Sequence, residues 1–365
     1  MRMDLGALDQ ALNSCAEKRV PILAVVGILG TTEYGTLDPI HEIVHLRSAW
    51  AQRGLGFAIH VDAAWGGYLA SMFREESGGL RSHDAMQREF RYFPSLRVYR
   101  TIAALASVDS VTVDPHKLGY LPYGSGGGFV CRDHRMMDFV AEDVPYIFSN
   151  PEYRKNQSYR ERFRELGRFI LEGSKPGAAA AAVYVTHKTL PLDHAHFGRL
   201  PQLSVQATEH LYELMQAMAH RLAGLIHVLI PFEPDSNLIC IAFNPVGNTS
   251  VRHMNAFAYR VYGHLRVDPT RPLQAQQFFS SSTLLYPHSL APAERNHILN
   301  ALGLTEWSAA EEGATDSIFV LRHTLMNPWL RDPVNKIDYI AQYCDHLESL
   351  LRMELANTPS SGLPG

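Results

Sequence analysis

Cysteine is scarce in this chain: Cys15, Cys131, Cys240 and Cys344 are scattered through 365 residues. No C-x-x-C pair occurs, which excludes the sequence signature of a zinc knuckle or a dithiol redox motif. Scattered thiols of this kind fit a reducing compartment. Long apolar runs are also missing. The longest, Pro21 to Gly30, falls well short of the ~20 residues that a membrane-spanning helix needs. The N-terminal residues Met-Arg-Met-Asp-Leu-Gly lack the continuous apolar core of a signal peptide. Charge of one sign is absent too, since 33 basic and 37 acidic side chains leave a formal charge of −4. That balance gives no reason to expect a nucleic acid or an anionic membrane as partner. The expectation is a cytoplasmic protein that handles a small molecule.

What is present supports a folded core. Hydrophobic residues make up 46% of the chain, enough for one large domain or two medium ones. Apolar positions at helical spacing (Leu5, Leu8, Leu12, Cys15) predict a helix over 4–18. Ile22 to Gly27 reads as a strand whose unbroken apolar character suits a parallel sheet covered on both faces. A second helix is expected from Pro39 to about Arg53, with Asp38 as its N-cap. Strands are expected at 57–62, 110–114 and 129–131, and helices at 178–190 and 203–226. Strand alternating with helix is the rhythm of an α/β domain with a mostly parallel sheet. From Phe232 the texture changes to strands, including 238–243 and 317–322, interleaved with helices. We therefore expect a large domain over 1–228, a small α+β domain over 229–355 and a disordered tail over 356–365. The charged stretch 151–168 reads as a solvated helix or loop.

In parallel sheets, ligands bind beyond the carboxyl ends of the strands. Three polar sites fall there: Thr31 and Thr32, Asp62, and His116 with Lys117. Asp62 heads Asp-Ala-Ala-Trp-Gly-Gly, so a carboxylate is followed by small residues that leave flat space beside it. A carboxylate placed this way can keep a heterocyclic nitrogen protonated, which is how an enzyme makes a pyridine ring an electron sink. Lys117 follows a strongly apolar strand, 55 positions after Asp62. Lysine is seldom buried without reason, and partial burial favours the neutral amine that attacks a carbonyl.

Asp62-x-Ala64 and Pro115-His-Lys117, preceded by Gly30-Thr-Thr, resemble the group II pyridoxal-phosphate-dependent amino-acid decarboxylases of fold type I. Gly30-Thr-Thr-Glu-Tyr-Gly-Thr-Leu-Asp-Pro-Ile, Asp114-Pro-His-Lys-Leu-Gly-Tyr-Leu-Pro-Tyr-Gly-Ser-Gly-Gly and Leu171-Glu-Gly-Ser-Lys-Pro-Gly are most similar to the tyrosine decarboxylase-like branch. The resemblance runs from near residue 20 to about 350. It implies pyridoxal 5′-phosphate as cofactor and Lys117 as the Schiff-base lysine. His116 is implied to help hold the cofactor phosphate, Asp62 to pair with the pyridine nitrogen and Ala64 to lie against the ring. Thr32 is implied to support Asp62, and Tyr123 to protonate the carbanionic centre. Arg322, in Val-Leu-Arg-His-Thr, is implied to engage the substrate carboxylate, a task its planar fork suits.

The implied activity is decarboxylation of an L-amino acid, aromatic and tyrosine-like, by a homodimer with sites at its interface. The family also carries an upstream phosphate loop and a ring-stacking histidine. The 29 residues before Gly30 contain neither a glycine-rich loop nor a histidine. The chain thus resembles a C-terminal portion of such an enzyme, and we expect a sheet short of strands with an open face. A catalytically inert, truncated paralogue serving as a binding or dimerisation module is the alternative. No metal site is expected: His41 with His45, and His194 with His196, read as solvent-facing. Gly124 to Gly128 leads into a strand, so it lacks the helix a nucleotide loop requires.

Overall fold

The computed structural model describes residues 1–139, 141, 169, 176–270, 272–305, 307 and 317–358. The charged stretch 151–168, the motif residues 171–175 and the tail from 359 lie outside these.

Helix α1 (Leu5–Glu17) begins where the Asp4 carboxylate accepts the Ala7 amide at 3.0 Å. Strand β1 (Ala24–Ile28) follows, then α2 (Ile40–Gln52), which buries Ile40, Ile43 and Trp50. The Trp50 indole donates to Asp9 Oδ1 at 2.7 Å and pins α1 to α2. Asp38 does not cap α2. Pro39 occupies that position, and no side chain caps the helix. The buried Asp38 carboxylate instead accepts the Met3 amide at 2.7 Å and the Ile28 amide at 2.8 Å. Two backbone donors already satisfy it, and it fastens the chain start to the end of β1.

Strands β2 (Ala58–Asp62) and β3 (Ser110–Val113) extend the sheet in parallel. Between them lie α3 (His83–Gln87) and α4 (Leu96–Ala103). Strand β4 (Gly128–Cys131) closes the order β1-β2-β3-β4, antiparallel to β3. The expected mostly parallel sheet is therefore present, with four strands. The expectation that β1 is covered on both faces is corrected: Val25 is buried, whereas Val26 is 49% and Ile28 37% exposed. The helices pack on one face only, and the other stays open among the described residues.

Helix α5 (Gly177–Thr189) precedes α6 (Arg199–Arg221). The latter stops short of the expected 226 because the chain reverses at Gly224, whose φ is +84°. The apolar residues that follow form β5 (Ile226–Leu229) instead. The expected domain boundary after 228 thus falls inside a strand. From Ala207 onward, α6 already contributes to the core of the small domain.

That domain has strand order β5-β6-β8-β7, with β6 (Leu238–Pro245), β7 (Ser281–Leu285) and β8 (Ile318–Thr324), all antiparallel. Every position of central β6 is buried, which explains its unbroken apolar sequence. Helices α6, α7 (Val251–Leu265) and α9 (Tyr339–Ala356) share one core with Ile239, Ile241 and Phe243. Helix α8 (Pro292–Leu302) packs with Leu238, Cys240 and Ala242 on the other face. A two-residue ribbon, β9 (Arg331–Asp332) and β10 (Ile337–Asp338), precedes α9. No helix among the described residues is long and apolar enough to cross a membrane.

Asp235, 4% exposed, joins the two domains. It accepts from Arg2 Nε at 3.0 Å and from the Leu37 amide at 3.0 Å, and it pairs with Arg97. Removing this acceptor strands two guanidinium groups, so Asp235→Ala is expected to cost about 3 kcal/mol in urea unfolding.

His323 is buried in the small domain, with Nε2 2.5 Å from the Tyr343 hydroxyl. Burial pushes its imidazole down to about 4 from the usual 6.5. Keeping it neutral therefore adds stability in full above about pH 6.5, and that stability is lost as pH falls towards 4. Urea melts at stepped pH are expected to show a shallower decline for His323→Gln than for wild type, by up to about 3 kcal/mol across this window.

Candidate functional site

The site is built on strand ends that lie level. In the sheet register, Ile28 stands opposite Asp62 and Asp62 opposite Thr112. The pairing continues past the strands: the Ala63 amide donates to the Thr112 carbonyl at 2.9 Å, and the Asp114 amide to the Ala64 carbonyl at 3.3 Å. The two segments that carry the candidate residues therefore leave the sheet side by side. The turn after Asp62 folds back onto β1, where the Gly66 amide donates to the Leu29 carbonyl at 2.8 Å. A Cβ on Gly66 would lie 2.3 Å from that oxygen, so only glycine permits the approach. Asp62 is half-buried, and its Oδ1 accepts the Ala64 amide at 3.1 Å.

Lys117 closes a turn in which its amide donates to the Asp114 carbonyl at 3.0 Å. Its Nζ lies 2.8 Å from Asp114 Oδ2, and its side chain is 36% exposed. Sequence reasoning overlooked Asp114, although a carboxylate three residues before a lysine across such a turn is a usable signal. His116 Nδ1 lies 3.1 Å from the Gly126 carbonyl oxygen, and the His116 ring is 4.7 Å from that of Tyr123. Tyr123 itself is 85% exposed, so it is not an aromatic packed over the glycine strand.

Arg322 projects from β8 to the Gly30-Thr-Thr loop. Its Nε donates to the Thr32 and Glu33 carbonyls, each at 3.1 Å, and Nη2 also donates to Thr32 O. Nη1 reaches Ser281 Oγ at 3.4 Å. Thr32 is exposed and meets Arg322 through its backbone carbonyl. The structure thus brings Thr32 to Arg322, and Asp62 with Ala64 alongside the Asp114–Lys117 turn.

The open face of the sheet holds a feature that sequence reasoning missed. His60, two residues before Asp62, has Nδ1 2.8 Å from Ser110 Oγ and Nε2 3.1 Å from Thr112 Oγ1. Its ring stacks on Phe129 at 6.0 Å. Burial lowers its pKa, and the Asp62 carboxylate opposes that shift. His41 also departs from expectation. It is turned inward, with Nδ1 3.3 Å from Thr101 Oγ1, because α2 packs against α4.

Two family models match the chain: the pyridoxal-dependent decarboxylase conserved domain over residues 1–89, and the tyrosine decarboxylase C-terminal region over 207–355. Thr32, Asp62 and Ala64 fall in the first and Arg322 in the second, whereas Lys117 lies between them. The chain is 31% identical over 347 residues to an L-tyrosine decarboxylase of Enterococcus faecalis, covering 91% of this chain and 53% of that protein. An L-tyrosine decarboxylase of Levilactobacillus brevis is 31% identical over 353 residues, covering 93% and 54%. The chain thus spans about half the length of these relatives.

Among solved structures, Oryza sativa TDC with PLP and tryptamine aligns with a TM-score of 0.59 at 12% identity, over 98% of this chain and 55% of that one. Mouse CSAD in apo form aligns with a TM-score of 0.58 at 15% identity, over 96% and 56%. These likenesses show the fold, that of the fold type I decarboxylases. The chain thus carries the pyridoxal-dependent decarboxylase conserved domain over residues 1–89 and the tyrosine decarboxylase C-terminal region over residues 207–355.

Proposed function

We propose that this chain supplies the lysine-bearing part of a site that decarboxylates an L-amino acid, with pyridoxal phosphate as cofactor. The observation that carries this reading is the parallel exit of Asp62 and the Asp114–Lys117 turn from neighbouring strands. The residues present suit the cofactor by their chemistry. Lys117 offers a primary amine at a half-exposed position, and Asp62 a carboxylate at the end of β2. Ala64, between them along the chain, is small enough to leave room for a flat ring.

In this reading Lys117 holds the cofactor through its amine, and Asp62 keeps a proton on the ring nitrogen. When bound, pyridoxal phosphate supplies an electron sink for the pair left behind as carbon dioxide departs. Asp114 orients the Lys117 amine through their 2.8 Å contact. His116, held by the Gly126 carbonyl, would help hold the cofactor phosphate. Tyr123, exposed beside His116, delivers a proton to the substrate Cα. Arg322 offers its guanidinium to the substrate carboxylate, and the Thr32 loop is held in place by the same group. Similarity to L-tyrosine decarboxylases supports an aromatic, tyrosine-like substrate. A cytoplasmic homodimer with sites at its interface completes the proposal.

The open sheet face, with Val26, Ile28 and Phe129 exposed, favours a second reading. In it the chain is catalytically inert and serves as a binding or dimerisation module.

Incubation with pyridoxal phosphate, borohydride reduction and peptide mass spectrometry separate the two. A phosphopyridoxyl increment is expected on Lys117, absent in Lys117→Ala and reduced about ten-fold in Asp62→Asn at limiting cofactor. Carbon dioxide release from L-tyrosine is expected to follow the same order. An unlabelled Lys117 would reject the proposal in favour of the module.

A further inference from the structure

A cavity of about 560 Å³ opens between the loop after β1 and the edge strand β7. That volume falls in the roughly 300–1,000 Å³ range of small-molecule sites. None of Thr32, Asp62, Lys117 and Arg322 lines it, so it is separate from the candidate site. Four aromatic side chains do line it: Tyr34 from the loop, Tyr259 from α7, Phe319 from β8 and Tyr286 from the turn after β7. The fold fixes these rings in place. The Tyr34 hydroxyl donates to the Leu284 carbonyl at 2.6 Å, which ties the loop to β7. The Tyr259 ring lies on that of Phe319 with centroids 4.1 Å apart. Tyr259 nevertheless stays 51% exposed and Tyr286 38%, so both offer ring surface to a ligand.

One side chain among the lining residues carries a full charge, that of Glu33. Its carbonyl takes the Arg322 guanidinium, but its carboxylate forms no ion pair or hydrogen bond among the described residues. The amino group of Met1, another lining residue, faces Glu294 at 3.9 Å. The hydroxyls of Ser282, Ser289, Tyr259 and Tyr286 are likewise without a hydrogen bond among the described residues. The cavity thus combines unspent oxygen acceptors, one free negative charge and aromatic faces. Aromatic faces attract cations through their quadrupole, and the Glu33 carboxylate adds to that attraction. An anion is repelled by both. A primary ammonium brings three N–H donors to these acceptors, whereas a quaternary ammonium brings none.

We infer that this cavity binds a primary amine in its ammonium form, with the nitrogen at the Glu33 carboxylate and the apolar body against Tyr259 and Tyr286. The class includes the amine left when an amino acid loses carbon dioxide, but the binding needs no cofactor and does not rest on the decarboxylase reading.

Calorimetric titration of the full chain tests this with three probes: 2-phenylethylamine, its N,N,N-trimethyl derivative and 2-phenylethanol. Saturable binding of 2-phenylethylamine is expected at one site, about ten-fold tighter than that of the uncharged alcohol and about five-fold tighter than that of the quaternary ion. Glu33→Gln is expected to weaken it about ten-fold, because the amide keeps the shape and loses the charge. Tyr259→Ala is expected to weaken it about five-fold. Both side chains are exposed, and circular dichroism establishes that each variant is folded. Should either variant not fold, the other decides. Wild-type affinity in folded Glu33→Gln or in folded Tyr259→Ala overturns the site. Equal binding of 2-phenylethanol overturns the ammonium assignment, and equal binding of the quaternary ion overturns the primary amine. Intact 2-phenylethylamine binding in a chain whose Lys117 takes no cofactor label rejects the decarboxylase reading alone.

Discussion

The level register of three parallel strands is the constraint on which the candidate site depends. Side chains alternate faces along a strand, so a slip of one residue in β2 would send Asp62 to the helix-covered face and His60 with it. The register holds because Val25, Ile59 and Val61 are buried on that covered face against Ile40 and Ile43 of α2. Hydrophobic packing on one side of the sheet thus decides where a carboxylate stands on the other. The backbone pairs that run past the strand ends then carry this alignment to Ala64 and Asp114. Lys117 inherits its position from them.

A second layer of organisation comes from charges that bridge the domains. Arg322 reaches from β8 to two carbonyls of the Gly30-Thr-Thr loop, and Asp235 collects Arg2, Arg97 and the Leu37 amide. Both contacts land on the loop after β1 or beside it. Asp235 is buried, and burying charge is costly unless every partner is in place, so its contacts specify how the small domain sits beside that loop. Loop residues 30–37 are consequently the segment on which these contacts converge. The same arrangement leaves a cavity at the seam, with Trp65 on one side and Phe278, Phe279 and Tyr339 of the small domain on the other.

The sheet itself remains unusual in its exposure. Apolar residues on β1 and β4 face outward, and these strands are the edges among the described residues. Unpaired edges and an apolar face are features that folded proteins ordinarily cover. His60, held between Ser110 and Thr112 on this face, shows that the surface near Asp62 is ordered by its own hydrogen bonds.

Much of the fold was legible because periodicity is a local property. The helices at 5–17, 40–52 and 177–189 and the strands near 24, 58, 110, 128, 238 and 318 followed from apolar spacing and turn residues. The candidate residues were legible for a related reason: Asp62, His116 and Lys117 sit where apolar strands give way to polar turns. What spacing left open depended on neighbours distant in sequence. Asp38 satisfies the Met3 and Ile28 amides instead of capping α2. Residues 226–229 pair with β6 instead of extending α6. Arg322 meets the Thr32 backbone 290 residues away.

The sequence by itself determined the residue types at the strand ends and the order in which the chain presents them. Only the tertiary structure decided which donors meet which acceptors. A side chain's partner is set by packing and desolvation, which the spacing of residues along the chain does not encode.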